Sequence, residues 1–162
     1  MWIAPNAWLM EAIKSDDMIK QFERLTDDER SLLFKAPVLV SVLASCSHKG
    51  VNQFKKADAI KLAHLKTHTS APLLRSYYVE VEKNFKDQFE DLVNKYSPFD
   101  DTKRNELKRE INKISLIVGK LDKEYGQLLY KSFEKYARHV KRATHSVFQD
   151  FLFPMPVAGF ND

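Results

Sequence analysis

The run APVLVSVLA, residues 36–44, constrains this chain more than any other stretch, because it is apolar on every side of a helix. A helix with no polar face has to be enclosed. Everything else in the chain is therefore expected to pack around it, as a bundle around a central rod. The flanks agree with a soluble body: 44% of the 162 residues are apolar, 30% are charged, and only four are glycine. Strand signals are scarce, and the size suits one domain over residues 1–162.

Punctuation along the chain divides the rest into helices. Asn6 after Pro5 starts a first segment carrying Trp8, Leu9, Ile13, Met18, Ile19 and Phe22 on one side. Thr26 with Glu29 three positions on is a capping box, so a second helix begins at Asp27 with an acidic first turn. Pro37 removes one backbone donor from that helix and is expected to kink it or force a restart near Lys35. Residues 47–53 read as a turn, with Gly50 taking a left-handed conformation and Asn52 available as a cap.

A short helix follows, with Phe54, Ala57, Ile60, Ala63 or His64, and Leu65 or His68 at helical spacings. Ser70 and Pro72 read as the cap and first turn of the next. That helix carries the cleanest apolar stripe in the chain, Leu74, Tyr77, Tyr78, Val81, Phe85, Phe89, Leu92, Val93 and Tyr96. After Ser97-Pro98 the pattern resumes from Ile111 to Val140 without an obvious stop. A single helix over the whole of 102–146 would be about 67 Å long, against a diameter of roughly 40 Å for a compact chain of this size. The break is placed at Gly119 to Asp122. The tail, residues 146–162, is rich in Phe and Pro and is expected to lie extended over the body. The fold expected is all-α, with six or seven helices around 36–44.

Function classes narrow by what the residues can do. Phosphate-cradling loops need glycine clusters, and neither GxxxxGK nor GxGxxG occurs. No Glu-x-x-His pair announces a di-iron bundle. The lone Cys46 ends the most apolar helix, where burial leaves a thiol inert, and a single cysteine fits a reducing compartment. The N-terminal stretch lacks the charge and apolar run of a secretory leader. The lipoprotein-like box Leu43-Ala44-Ser45-Cys46 sits too far along the chain to serve as one. No stretch reaches the ~18 apolar residues of a membrane span, so a cytoplasmic protein is expected.

Two constellations remain. His64 and His68 stand four apart in HLKTH, the spacing by which two imidazoles grip one divalent ion, with His48 as a further donor; a local catalytic carboxylate is missing. Lys131, Lys135, Arg138, Arg142 and His145 recur at steps of four and three, forming a basic stripe opposite Leu129, Phe133, Tyr136 and Val140. Charge is uneven elsewhere too: residues 31–75 hold seven Lys or Arg against one Asp, in a chain of net charge +4. The stripe suits an anion or an acidic protein partner. Nucleic acid is disfavoured, because no aromatic residues interleave with the charges.

Residues 33–66, LFKAPVLVSVLASCSHKGVNQFKKADAIKLAHLK, resemble the helix-turn-helix core of the tellurite-resistance TerB-like family. The likeness rests on the apolar helix ending in Ala44, Ser45 and Cys46, on Val51, and on the helix that follows. His48-Lys49 stand where that family has Asp-Gly, and Lys55 stands where it has an acid, so its acidic metal-binding cluster does not carry over. The resemblance implies an all-helical fold and a stress-associated role. The combined expectation is a non-enzymatic interaction module without a cofactor. Metal binding through His64 and His68, or anion binding through the stripe, are the alternatives.

Overall fold

Thr26 opens the first complete helix as its sequence demands. The computed structural model describes residue 18 and residues 20–142, and its helix α1 (Asp27–Ser45) starts on a reciprocal capping box. The Glu29 backbone N–H donates to Thr26 Oγ1 at 3.2 Å, and the Thr26 N–H donates to the Glu29 carboxylate at 3.0 Å. Two of the four orphaned donors of a helix start are satisfied this way.

Of the kink or restart expected near Lys35, the restart does not occur: α1 runs as one helix through Pro37. The physical reason lies on another helix. Pro37 has no N–H to give to the carbonyl of Leu33, four residues back, and the Tyr77 hydroxyl donates to that oxygen instead, at 2.6 Å. One turn on, Ser41 Oγ donates to the Pro37 carbonyl at 2.7 Å. Every residue from Ala36 to Ser45 is buried, and among the described residues α1 packs against each of the four α-helices that follow it. The apolar rod is the centre of an all-α bundle.

A two-residue hairpin turns the chain after α1: β1 (Cys46–Ser47) pairs antiparallel with β2 (Gly50–Val51). Gly50 has φ +96°, where a side chain would be strained. Asn52 then caps α2 (Gln53–Thr69), its Oδ1 accepting from the Lys55 N–H at 3.1 Å. Ser70 does not start the following helix. Its N–H still bonds the Lys66 carbonyl, so it closes α2, and Pro72 opens a short 3-10 turn (Pro72–Leu74) that feeds α3 (Arg75–Tyr96).

Asp100 caps α4 (Asp101–Val118), accepting from the Lys103 N–H at 2.8 Å. The long periodic pattern does divide, at Gly119 to Asp122, and α5 (Lys123–Arg142) begins where Asp122 accepts from the Glu124 N–H at 3.1 Å. Phe22 and Leu25, ahead of α1, are buried in the same core. The expected first segment up to Asp17, and the tail at 146–162, lie outside the described residues.

Candidate functional site

On α2, His64 and His68 meet edge to face, ring centroids 5.5 Å apart. Both are exposed. The Glu82 carboxylate of α3 contacts His64 Nδ1. With Nδ1–H donating to Glu82, Nε2 is the nitrogen left to accept a ligand, an arrangement that orients metal-binding histidines. A groove of ≈ 570 Å³ runs past both rings and is lined by Arg75, Glu80, Glu82 and Lys83 as well. Its charges are largely internal: Lys83 bonds Glu80 at 2.5 Å.

His48 does not join them. It sits in the hairpin turn before α2 begins, and the helix from Gln53 to His64 alone spans about 16 Å of axis. Among the described residues no group of three or more His, Cys, Asp or Glu side chains is arranged to hold a metal ion. What the structure brings together is a histidine pair with one carboxylate behind it. Glu82 was invisible in the sequence because it lies on a different helix, eighteen positions away.

Helix α5 shows its two sides plainly. Leu129, Ser132, Tyr136 and Val140 are buried, while Lys131, Lys135 and Arg138 are exposed, as the stripe required. Arg138 lies 3.8 Å from Glu134 on the same helix, a spacing worth only a few tenths of a kcal/mol. Arg142 closes the helix, and His145 lies outside the described residues. The inner side is fixed by hydroxyls: Tyr136 donates to the Ala59 carbonyl of α2 at 3.0 Å, with Ser41 Oγ of α1 3.5 Å away, and Ser132 shares a 2.5 Å hydrogen bond with Tyr78 of α3.

One cation escaped the sequence reading. Lys66, on the edge of α2 that meets α5, is half-buried with its ammonium 5.8 Å from the centroid of the Tyr78 ring. Burial pushes its pKa down, and the charge of Lys135 pushes it down further. Neither lysine makes an ion pair among the described residues. The general excess of basic residues in 31–75 was the only sign of this, and it could not single out Lys66 or name Lys135 as its neighbour.

The apolar spacing assigned to α2 also needs correction. Its buried residues are Ala59, Leu62, Ala63 and Thr67, whereas Phe54 is 86% exposed and Leu65 42%. These four lie on the side of α2 that faces its neighbours, and Phe54 and Leu65 fall on the other side. Leaving a phenylalanine in water forgoes about 2 kcal/mol of burial. Cys46, by contrast, is deeply buried, and burial raises its thiol to about 12 despite Arg104 and Lys56 nearby.

No family model, curated protein or solved structure matches the chain. The TerB-like resemblance of residues 33–66 therefore rests on those residues alone. Among the described residues, no helix is long and apolar enough to cross a membrane.

Proposed function

We propose that this protein is a non-enzymatic interaction module that holds an acidic protein partner on the surface formed by the outer side of α5 and the adjoining edge of α2. The observation that carries this reading is that the half-buried Lys66 of α2 feels the charge of Lys135 on α5, and neither lysine makes an ion pair among the described residues. Two ammonium groups that feel each other's charge repel, and a partner's carboxylates would convert that repulsion into attraction. Lys131 and Arg138 extend the same charge along α5. A cytoplasmic, stress-associated setting belongs to the reading, supported by the lone Cys46 and by the resemblance of residues 33–66.

Affinity capture from cell extract, with the wild-type chain and a Lys66→Glu, Lys135→Glu variant side by side, tests it. An acidic protein recovered with the first and lost from the second supports the reading; recovery of the chain alone, or of the same proteins by both, removes it. Duplex DNA binding with a log-log salt slope of roughly −3 to −5 would reassign the stripe to nucleic acid.

A second reading is favoured by the contact of Glu82 with His64 beside His68. It is the binding of one zinc or nickel ion by the two imidazoles, with water completing the coordination and Glu82 orienting His64. A melting-temperature rise with zinc that vanishes in a His64→Ala, His68→Ala variant supports it. An unchanged melting curve removes it.

A further inference from the structure

One couple of side chains repeats along α2, its apolar member exposed and its lysine half-buried. Phe54-Lys55 and Leu65-Lys66 are each an apolar residue followed by a lysine, eleven positions apart, and eleven residues make three turns to within about 20° and rise about 16 Å. Phe54 and Leu65 therefore lie almost in line along the outer face, with exposed Lys61 between them. Lys55 and Lys66 form a parallel line on the flank that turns toward α5, where Lys135 adds its charge to that of Lys66. Asp58 is the one acid in α2.

Two apolar anchors at a fixed helical interval, bordered by a line of cations, describe the surface that an amphipathic acidic helix fits. Apolar side chains three turns apart on such a helix would cover Phe54 and Leu65, and carboxylates beside them would meet Lys55, Lys61 and Lys66. We propose that α2 is a docking rail for an acidic amphipathic helix of a partner protein, anchored at Phe54 and Leu65 and fixed in register by Lys55, Lys61 and Lys66. This rests on the reading of the module as a binder of acidic partners, and it names the partner's shape. A flat acidic surface would meet the charges of α5 equally well but would have no use for the line of Phe54 and Leu65.

The test uses the full chain and two Glu-rich helical peptides of identical composition. One has leucines eleven positions apart on a single face; the other has them on opposite faces. Fluorescence anisotropy should show the patterned peptide binding about tenfold more tightly than its isomer, with Phe54→Asp losing about tenfold and Phe54→Leu close to wild type. Phe54 is almost wholly exposed, so its variants should stay folded, which circular dichroism checks. Equal binding of both peptides, untouched by Phe54→Asp but abolished by Lys66→Glu with Lys135→Glu, overturns the rail and leaves the acidic-partner reading standing. Failure of both peptides to bind at low salt overturns both. Tighter binding of duplex DNA or of phosphatidylserine vesicles than of the patterned peptide also overturns the rail.

Discussion

The Tyr77 hydroxyl donates to the Leu33 carbonyl at 2.6 Å, on the turn of α1 where Pro37 has no N–H to offer. Both Tyr77 and Leu33 are fully buried, so no water can take over. Removing the hydroxyl leaves a buried acceptor unmet and should cost about 1–2 kcal/mol.

Tyr77→Phe should therefore destabilise the protein by that amount in urea unfolding. The decisive comparison is with Pro37→Ala, which returns a backbone donor to the same oxygen. In that background Tyr77→Phe should cost less, leaving a coupling of about 0.5–1.5 kcal/mol between the two sites. Additive losses would mean that the tyrosine does not compensate for the proline.

Alkaline pH should unfold the chain steeply. Burial raises Tyr77, Tyr78, Tyr125 and Tyr136 above their ordinary value of 10.0. A raised folded pKa means that stability is intact below pH 10 and falls once the unfolded tyrosines begin to ionise. Each contributes about 1.4 kcal/mol per pH unit, or roughly 5–6 kcal/mol per unit for the four together. Circular dichroism against pH should show the transition beginning just above 10, coincident with the phenolate absorbance change. Tyrosine ionisation well before loss of helix would contradict it.

Cys46 should resist alkylation. With the thiol raised to about 12, only about one part in ten thousand is thiolate at pH 8. Iodoacetamide labelling of the native chain should be negligible there and should become rapid in guanidinium. Fast labelling of the folded protein would place the hairpin end of α1 in solvent.

Gly50→Ala should cost about 1 kcal/mol through the backbone alone. The φ of +96° is strained for a side chain, yet nothing lies within 4 Å of where a Cβ would stand. Thermal melting checks the size of the loss, and a neutral substitution would show that the turn rearranges freely.

The parts of this architecture legible in the sequence are those governed by neighbours in the chain. Thr26 with Glu29, Asn52 and Asp122 cap helices where their positions put them, because a cap is settled within three residues. The enclosed rod at 36–44 follows from having no polar side. The unbroken course of α1 through Pro37 was not legible, because the Tyr77 hydroxyl that serves the Leu33 carbonyl lies forty-four positions from it along the chain. Phe54 was misplaced because spacing alone cannot say which side of a weakly patterned helix its neighbours will take. At the candidate sites, the exposed faces of Lys131, Lys135 and Arg138 were legible from period alone, whereas the pairings Lys66 with Lys135 and His64 with Glu82 exist only once helices are docked.

Helix α5 keeps its structural obligations and its charges on opposite sides. Tyr136 and Ser132 hold it to three neighbouring helices from within, and none of those bonds involves Lys131, Lys135 or Arg138. Descendants of this gene can thus exchange outward-facing residues and try new clients while the scaffold beneath is inherited intact. Selection on recognition and selection on foldedness would then act on separate sets of codons within the same twenty-residue segment.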